Sequence, residues 1–155
     1  MKTAILNQFK ALFEVPKKTV ILGHKNPDGD ALGASLGLHW FLKSLGHETQ
    51  VIMPNDFPDF LKWMPGHESI LVHDKQEEEV RQALKSCEVI CTLDFNDLSR
   101  VGEMTKLLTR IDQSFVMIDH HQEPGDYASL TWSDTSMSST SEMVAQLIES
   151  WIGWT

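Results

Sequence analysis

Apolar positions recur at two different periods along this chain. Ile5, Phe9, Leu12 and Phe13 share one side of an opening helix, with Leu6 at its border, and Pro16 ends it. Thr19-Val20-Ile21-Leu22-Gly23 is a short, nearly unbroken apolar run and reads as a buried strand. A helical period resumes from Asp30 to Leu45, placing Leu32, Leu36, Trp40 and Phe41 on the inner face, with Gly46 as the stop. Gln50-Val51-Ile52-Met53 is a second strand closed by Pro54. Asp56 to Leu61 reads as a short helix, and Pro65-Gly66 as a turn. Beyond that turn the pattern predicts a charged helix from Gln76 to Lys85, a strand from Val89 to Leu93, and a helix from Val101 to Thr109. A strand from Phe115 to Ile118 and an amphipathic helix from Ser141 to Trp151 complete the series.

Strands that alternate with helices, each strand apolar on both faces, predict an α/β fold. The expected form is a doubly wound, mainly parallel sheet with helices on both faces. A length of 155 residues suits one domain. Such sheets bind ligands outside the carboxyl ends of their strands, so the residues that follow each strand matter most.

Composition narrows the choice. Hydrophobic residues make up 41% and charged residues 23%, enough for one core without staples. The formal net charge of −9 repels a long polyphosphate and argues against duplex nucleic acid as a partner. A small anionic substrate stays compatible if cations supply local positive charge. Cys87 and Cys91 are expected as buried thiols, as in a reducing compartment, and no second cysteine pair exists for zinc. Asn7, Gln8 and Lys10 break the opening apolar stretch, so it does not read as a secretory signal. No run is long and apolar enough for a bilayer, and a cytoplasmic protein is expected.

Three strands end in metal-binding chemistry. His24-Lys25-Asn26-Pro27-Asp28-Gly29-Asp30 follows the first, Asp94 follows Val89–Leu93, and Asp119-His120-His121 follows Phe115–Ile118. Carboxylates meeting at one sheet edge repel one another unless a cation sits among them. Aspartate with histidine suits manganese, magnesium, cobalt or iron. Pro27 stiffens the first loop and Gly29 permits a tight bend between its two aspartates. Taken alone, Asp30 could cap the following helix, and Asp94 could cap a turn. Asp119 could be the carboxylate that fixes the tautomer of His120, with His121 left to face substrate. His39, His47, His67 and His73 are not expected to bind metal.

His24 through Gly33 and Asp119-His120-His121 resemble the first and third motifs of the DHH phosphoesterase superfamily, and Asp94 resembles the second. The likeness runs from Phe9 to the Ser138-Ser139-Thr140-Ser141-Glu142 segment. Leu61-Lys62-Trp63-Met64-Pro65-Gly66 further resembles the branch of bacterial oligoribonucleotide and phosphoadenosine-phosphate hydrolases. The resemblance implies two divalent ions, usually Mn²⁺, with Mg²⁺ or Co²⁺ as substitutes. It implies that His24 and Asp28 hold one ion, Asp30 and His120 the other, and Asp94 both. It further implies that His121 contacts the phosphate, that Asp119 supports the histidines, and that Arg100, Ser139 and Thr140 are phosphate contacts.

The expected activity is hydrolysis of short oligoribonucleotides or 3′-phosphoadenosine 5′-phosphate, with cyclic dinucleotide cleavage close behind. A small nucleotide or short single-stranded oligonucleotide is the expected partner. A non-catalytic metal-binding regulatory module is the rival from another class. Family members carry a fourth motif, an Asp ligand, and then a smaller substrate-binding domain. Asp134 is too close to the triplet to supply that ligand. Residues 1–155 are therefore expected to be the DHH catalytic domain, cut before both, and a homodimer is compatible with the full-length protein. The apolar surface near Trp151 and Trp154 is expected to be exposed by that cut.

Overall fold

A computed structural model describes residues 1–153. In chain order the elements are α1 (Thr3–Leu12), β1 (Lys18–Leu22), α2 (Gly29–Ser44), β2 (Glu48–Met53), β3 (Leu71–Val72), α3 (Glu77–Ser86), β4 (Val89–Leu93), α4 (Thr105–Leu108), β5 (Ser114–Asp119), β6 (Leu130–Ser133) and α5 (Thr140–Ile152). The strands form one sheet in the order β3-β2-β1-β4-β5-β6, and every pairing is parallel. The chain winds outward from β1 to β2 and β3, then returns to start the other half at β4. The strand order therefore reverses between β1 and β4, where a doubly wound sheet opens its crevice.

Helices cover both faces, as the apolar strands require. Ile21, Val51, Cys91, Val116 and Ile118 meet α1, α2 and α5 in one core. Val20, Leu22, Ile52, Ile90 and Phe115 meet α3 and α4 in the other. The helix α2 is buried nearly all round, between the sheet and α5. Gly23 continues the line of β1, where any Cβ would overlap the Met53 side chain.

Several expectations are corrected. Trp40 is 44% exposed rather than on the inner face of α2. Its indole N–H donates to the Pro65 carbonyl at 2.9 Å, so it leans on the Pro65-Gly66 turn instead of the sheet. The stretch from Asp56 yields only a 3-10 turn at Asp59–Leu61, because Pro58 interrupts it. Leu98–Met104 is 3-10 and kinks at Gly102 (φ +61°), leaving one α turn at α4. The edge strands β3 and β6 escaped the pattern because they are two and four residues long.

Cys87 and Cys91 are both buried, one in each core. Trp151 is partly buried and packs against Phe13 and Phe41, at ring separations of 6.3 and 5.3 Å. Trp154 lies outside the described residues.

Candidate metal centre

The reversal point brings three loops and two helix N-termini together. The β1 loop is clamped on both sides. Lys25 N donates to the Arg100 carbonyl at 2.7 Å, while Asn26 and Asn55 exchange hydrogen bonds at 2.7 and 2.8 Å. Asn26 adopts φ +57°, which Asn tolerates better than most residues. His24 is thereby aimed across the crevice, with Nε2 3.1 Å from Asp94 Oδ2 and 3.8 Å from Asp28 Oδ1.

Asp94 is the centre of the arrangement. It is 3% exposed and sits at φ +67°, a left-handed conformation that turns the chain sharply off β4. Such strain persists only where the surroundings hold it, and it concentrates at functional sites. Its N–H donates to the Ile118 carbonyl at 3.1 Å, which anchors the turn to β5. Oδ1 accepts from the Thr140 hydroxyl at 3.1 Å and lies 3.4 Å from His120 Nε2. The two oxygens of one carboxylate thus face two different imidazoles.

Two clusters result, each with ligand atoms within 4.8 Å of one another: His24, Asp28 and Asp94, and Asp94, His120 and His121. Asp94 is common to both. Asp30 stands just outside the second cluster, its Oδ2 3.7 Å from His120 Nε2.

The donor chemistry fits cations. His24 Nδ1 lies 2.8 Å from the Lys25 carbonyl, which can only accept, so Nδ1 carries a proton. In a neutral ring, Nε2 then presents its lone pair to the Asp94 carboxylate, acceptor against acceptor. Either a proton or a metal ion resolves that conflict. Without metal, the Asp94 hydrogen bond raises the His24 pKa above its ordinary 6.5, against the opposing effect of burial. Burial, reinforced by the Asp30 charge, raises the Asp94 carboxyl. A cation on the shared carboxylate relieves both.

The helix ends hold the remaining carboxylates. Asp28, rather than Asp30, caps α2: its Oδ1 accepts from Ala31 N at 2.9 Å. Asp30 instead receives the N-terminus of α5, from Thr140 N at 3.0 Å and Ser141 N at 2.8 Å. Burial opposes its ionisation, but these amide bonds overcome that and hold its carboxyl below the usual range.

Other expected roles change. Asp119, fully buried, accepts from the His121 backbone N–H at 3.0 Å and lies 2.6 Å from His121 Nδ1. It therefore orients His121 and not His120. Thr140 is fully buried with its hydroxyl on Asp94, so it supports that carboxylate and offers no face to a phosphate. The Ser139 hydroxyl accepts from Glu142 N at 3.1 Å as the α5 cap. Arg100 is exposed, and its backbone carbonyl accepts from Lys25 N. Asp134 spends its carboxylate on Ser136, in a turn of its own.

Sequence reasoning missed the structural work of Thr140, Ser141 and Asn55. The Ser-Ser-Thr-Ser-Glu run did announce a helix start, but nothing in it said which carboxylate the helix would meet.

The molecule is thus a doubly wound parallel α/β domain with a shared-carboxylate His/Asp centre at its reversal point. The chain belongs to the DHH family: residues 18–154 match its N-terminal domain. It is 33% identical over 131 residues to the bifunctional oligoribonuclease and PAP phosphatase NrnA of Thermus thermophilus, a match that takes 83% of this chain and 36% of that protein. It is 28% identical over 158 residues to the cyclic-di-AMP phosphodiesterase GdpP of Geobacillus thermodenitrificans, across 94% of this chain and 23% of that one. The crystal structure of an exopolyphosphatase-related protein from Bacteroides fragilis superposes with a TM-score of 0.94 at 44% identity. It covers 99% of this chain, which in turn spans 45% of that one. The 155 residues therefore span less than half of each of these proteins.

Proposed function

We propose that this domain is the catalytic part of a metal-dependent phosphoesterase that hydrolyses short oligoribonucleotides, 3′-phosphoadenosine 5′-phosphate, or both. The observation that carries the reading is the Asp94 carboxylate, whose two oxygens face His24 and His120 on opposite sides. The likeness to the Thermus NrnA protein supports the choice of substrate. Two divalent ions, of which Mn²⁺ suits this mixed Asp/His set, would lower the pKa of an attacking water and neutralise phosphate oxygens.

His24 and Asp28 would hold one ion, Asp30 and His120 the other, and Asp94 both. Asp119 fixes His121 through Nδ1, leaving Nε2 as its free nitrogen. That nitrogen would meet a phosphate oxygen and stabilise charge there as the bond to the leaving oxygen breaks. Asp119 keeps the ring aimed throughout. Thr140 and the α5 amides hold Asp94 and Asp30 still, so little rearrangement is needed when substrate arrives.

A further carboxylate ligand and a substrate-binding domain, which the family resemblance places later in such proteins, belong in this proposal outside residues 1–155. No helix among the described residues is long and apolar enough to cross a membrane, and we place the enzyme in the cytoplasm. The second reading is cyclic dinucleotide cleavage, favoured by the GdpP match across 94% of this chain.

The test is Mn²⁺-dependent phosphate or nucleotide release from 3′-phosphoadenosine 5′-phosphate, a short oligoribonucleotide and cyclic di-AMP. It uses a chain extended past Thr155, beside its Asp94→Ala variant. Release from the first two that the variant abolishes is the expected result. Release from cyclic di-AMP alone selects the second reading. Metal binding with turnover of none sinks both.

A further inference from the structure

β4 and β5 are parallel neighbours, with Leu93 beside Ile118, so the loops that follow them leave the sheet side by side. The first loop carries Asp94, the second His120 and His121. They are not equally firm. Phe95, 1% exposed, is buried in the core beneath α3 and α4, which anchors the turn from Asp94 to Asn96. Residues 121–124 are all exposed, and Glu123 adopts φ +57°.

Among the described residues, the hydrogen bonds that tie Gln122–Asp126 to the rest of the chain both end on Asn96. Asn96 Nδ2 donates to the Gln122 carbonyl at 2.6 Å, which fixes the amide orientation, because only the N–H end can face a carbonyl. The Gly125 N–H donates to the Asn96 carbonyl at 2.8 Å. A Cβ at residue 125 would lie 2.6 Å from that same carbonyl oxygen, so the second bond requires glycine. One residue thus grips the loop twice, by its side chain just after His121 and by its backbone at Gly125.

His121 needs that grip. Asp119 holds its Nδ1 and its N–H from the strand side. Its side chain is 48% exposed, so burial does little to hold the ring or the peptide beyond it.

We propose that Asn96 is a positioning residue for His121, with Gly125 making the close approach possible. The Asn96 side-chain N–H is spent on the loop, so it acts through His121 rather than on substrate. With the Gln122 peptide fixed, His121 Nε2 meets the phosphate from a constant direction. The turn that presents the shared Asp94 carboxylate therefore also aims His121. This role rests on the phosphoesterase reading, in which His121 meets the phosphate.

The first test is ¹⁵N relaxation of the metal-free chain. The amide order parameters of His121, Gln122 and Glu123, about 0.85 in the unaltered chain, should fall below about 0.6 in Asn96→Ala and in Gly125→Ala. Unchanged values in both variants would overturn the proposal. The second is turnover of 3′-phosphoadenosine 5′-phosphate by a chain extended past Thr155. Asn96→Ala should lower kcat about 10–100-fold with KM unchanged, because a misplacement of about 1 Å has effects of that size. In a His121→Ala background the same substitution should cost nothing further. An equal loss in both backgrounds would overturn the proposal, since Asn96 would then act on something other than His121. An unaltered chain without turnover would sink the phosphoesterase reading, and the order parameters would still decide whether Asn96 holds His121.

Discussion

Replacing Thr140 with valine removes one hydroxyl and keeps the shape of the side chain. Thr140 is fully buried, and that hydroxyl donates to Asp94 Oδ1 at 3.1 Å. The donor serves a carboxylate that is itself 3% exposed, so water cannot replace it. A hydrogen bond to a charged group contributes about 1.5–3 kcal/mol. At about 1.4 kcal/mol per decade, that is roughly ten- to hundredfold in Mn²⁺ affinity if Asp94 is the shared ligand. Partners that orient metal ligands have effects of similar size, about 10–100-fold.

The assay is isothermal titration of Mn²⁺ into the chain, beside Thr140→Ser. Serine keeps the hydroxyl and should recover most of the affinity. Melting without metal serves as a control, since valine also leaves the Asp94 carboxylate less well solvated. Unchanged Mn²⁺ affinity in a folded Thr140→Val chain would refute the reasoning, because Asp94 would then need no support from α5.

Other consequences follow from the same contacts. In the metal-free chain His24 keeps its proton to above the ordinary 6.5, because Asp94 accepts from it. Binding of Mn²⁺ must expel that proton, so affinity should fall as pH drops through the raised pKa, and proton release in differently buffered titrations would show it. Asp56 is held at a pKa of about 2, chiefly by Lys75. Its contribution to stability is full above the unfolded pKa of about 3.9 and disappears as pH falls through about 2. Asp56→Asn should thus lower the melting temperature slightly at neutral pH and not at all in strong acid. Burial pushes the Cys91 thiol up to about 12 and Cys87 up to about 11, so neither should react with a thiol reagent in the folded chain at pH 8, and both should react in denaturant. Gly33→Ala would place a Cβ 3.0 Å from Ser141 Oγ and press α5 away from Asp30, which should weaken Mn²⁺ binding although residue 33 touches no ligand.

The candidate ligand residues could be picked out of the sequence because strand ends are easy to see. Three apolar runs each stopped at an Asp or a His, and a parallel sheet brings such stops to one edge. The long strands and α2, α3 and α5 were legible for the same reason, since their periods are carried by several residues. The short edge strands carried too few positions to show a period. Trp40 was misplaced because α2 is apolar on most of its surface, so its inner side could not be told from its outer one. The supporting contacts were less visible still. That Asp30 would be gripped by the N-terminus of α5, 110 residues later, follows from how α5 crosses α2 and not from any local signal. The pairing of Asp119 with His121 instead of His120 depends on how the chain turns after β5, and adjacent histidines in a sequence offer no basis for choosing between them.

In the proposed centre Asp94 serves two ions at once. Mn²⁺ binding to the chain, counted by electron paramagnetic resonance, tests it most directly. The account predicts two sites, of which His24→Ala removes one, His120→Ala removes the other and Asp94→Ala removes both. An Asp94→Ala chain that still binds one Mn²⁺ as tightly as before would contradict it.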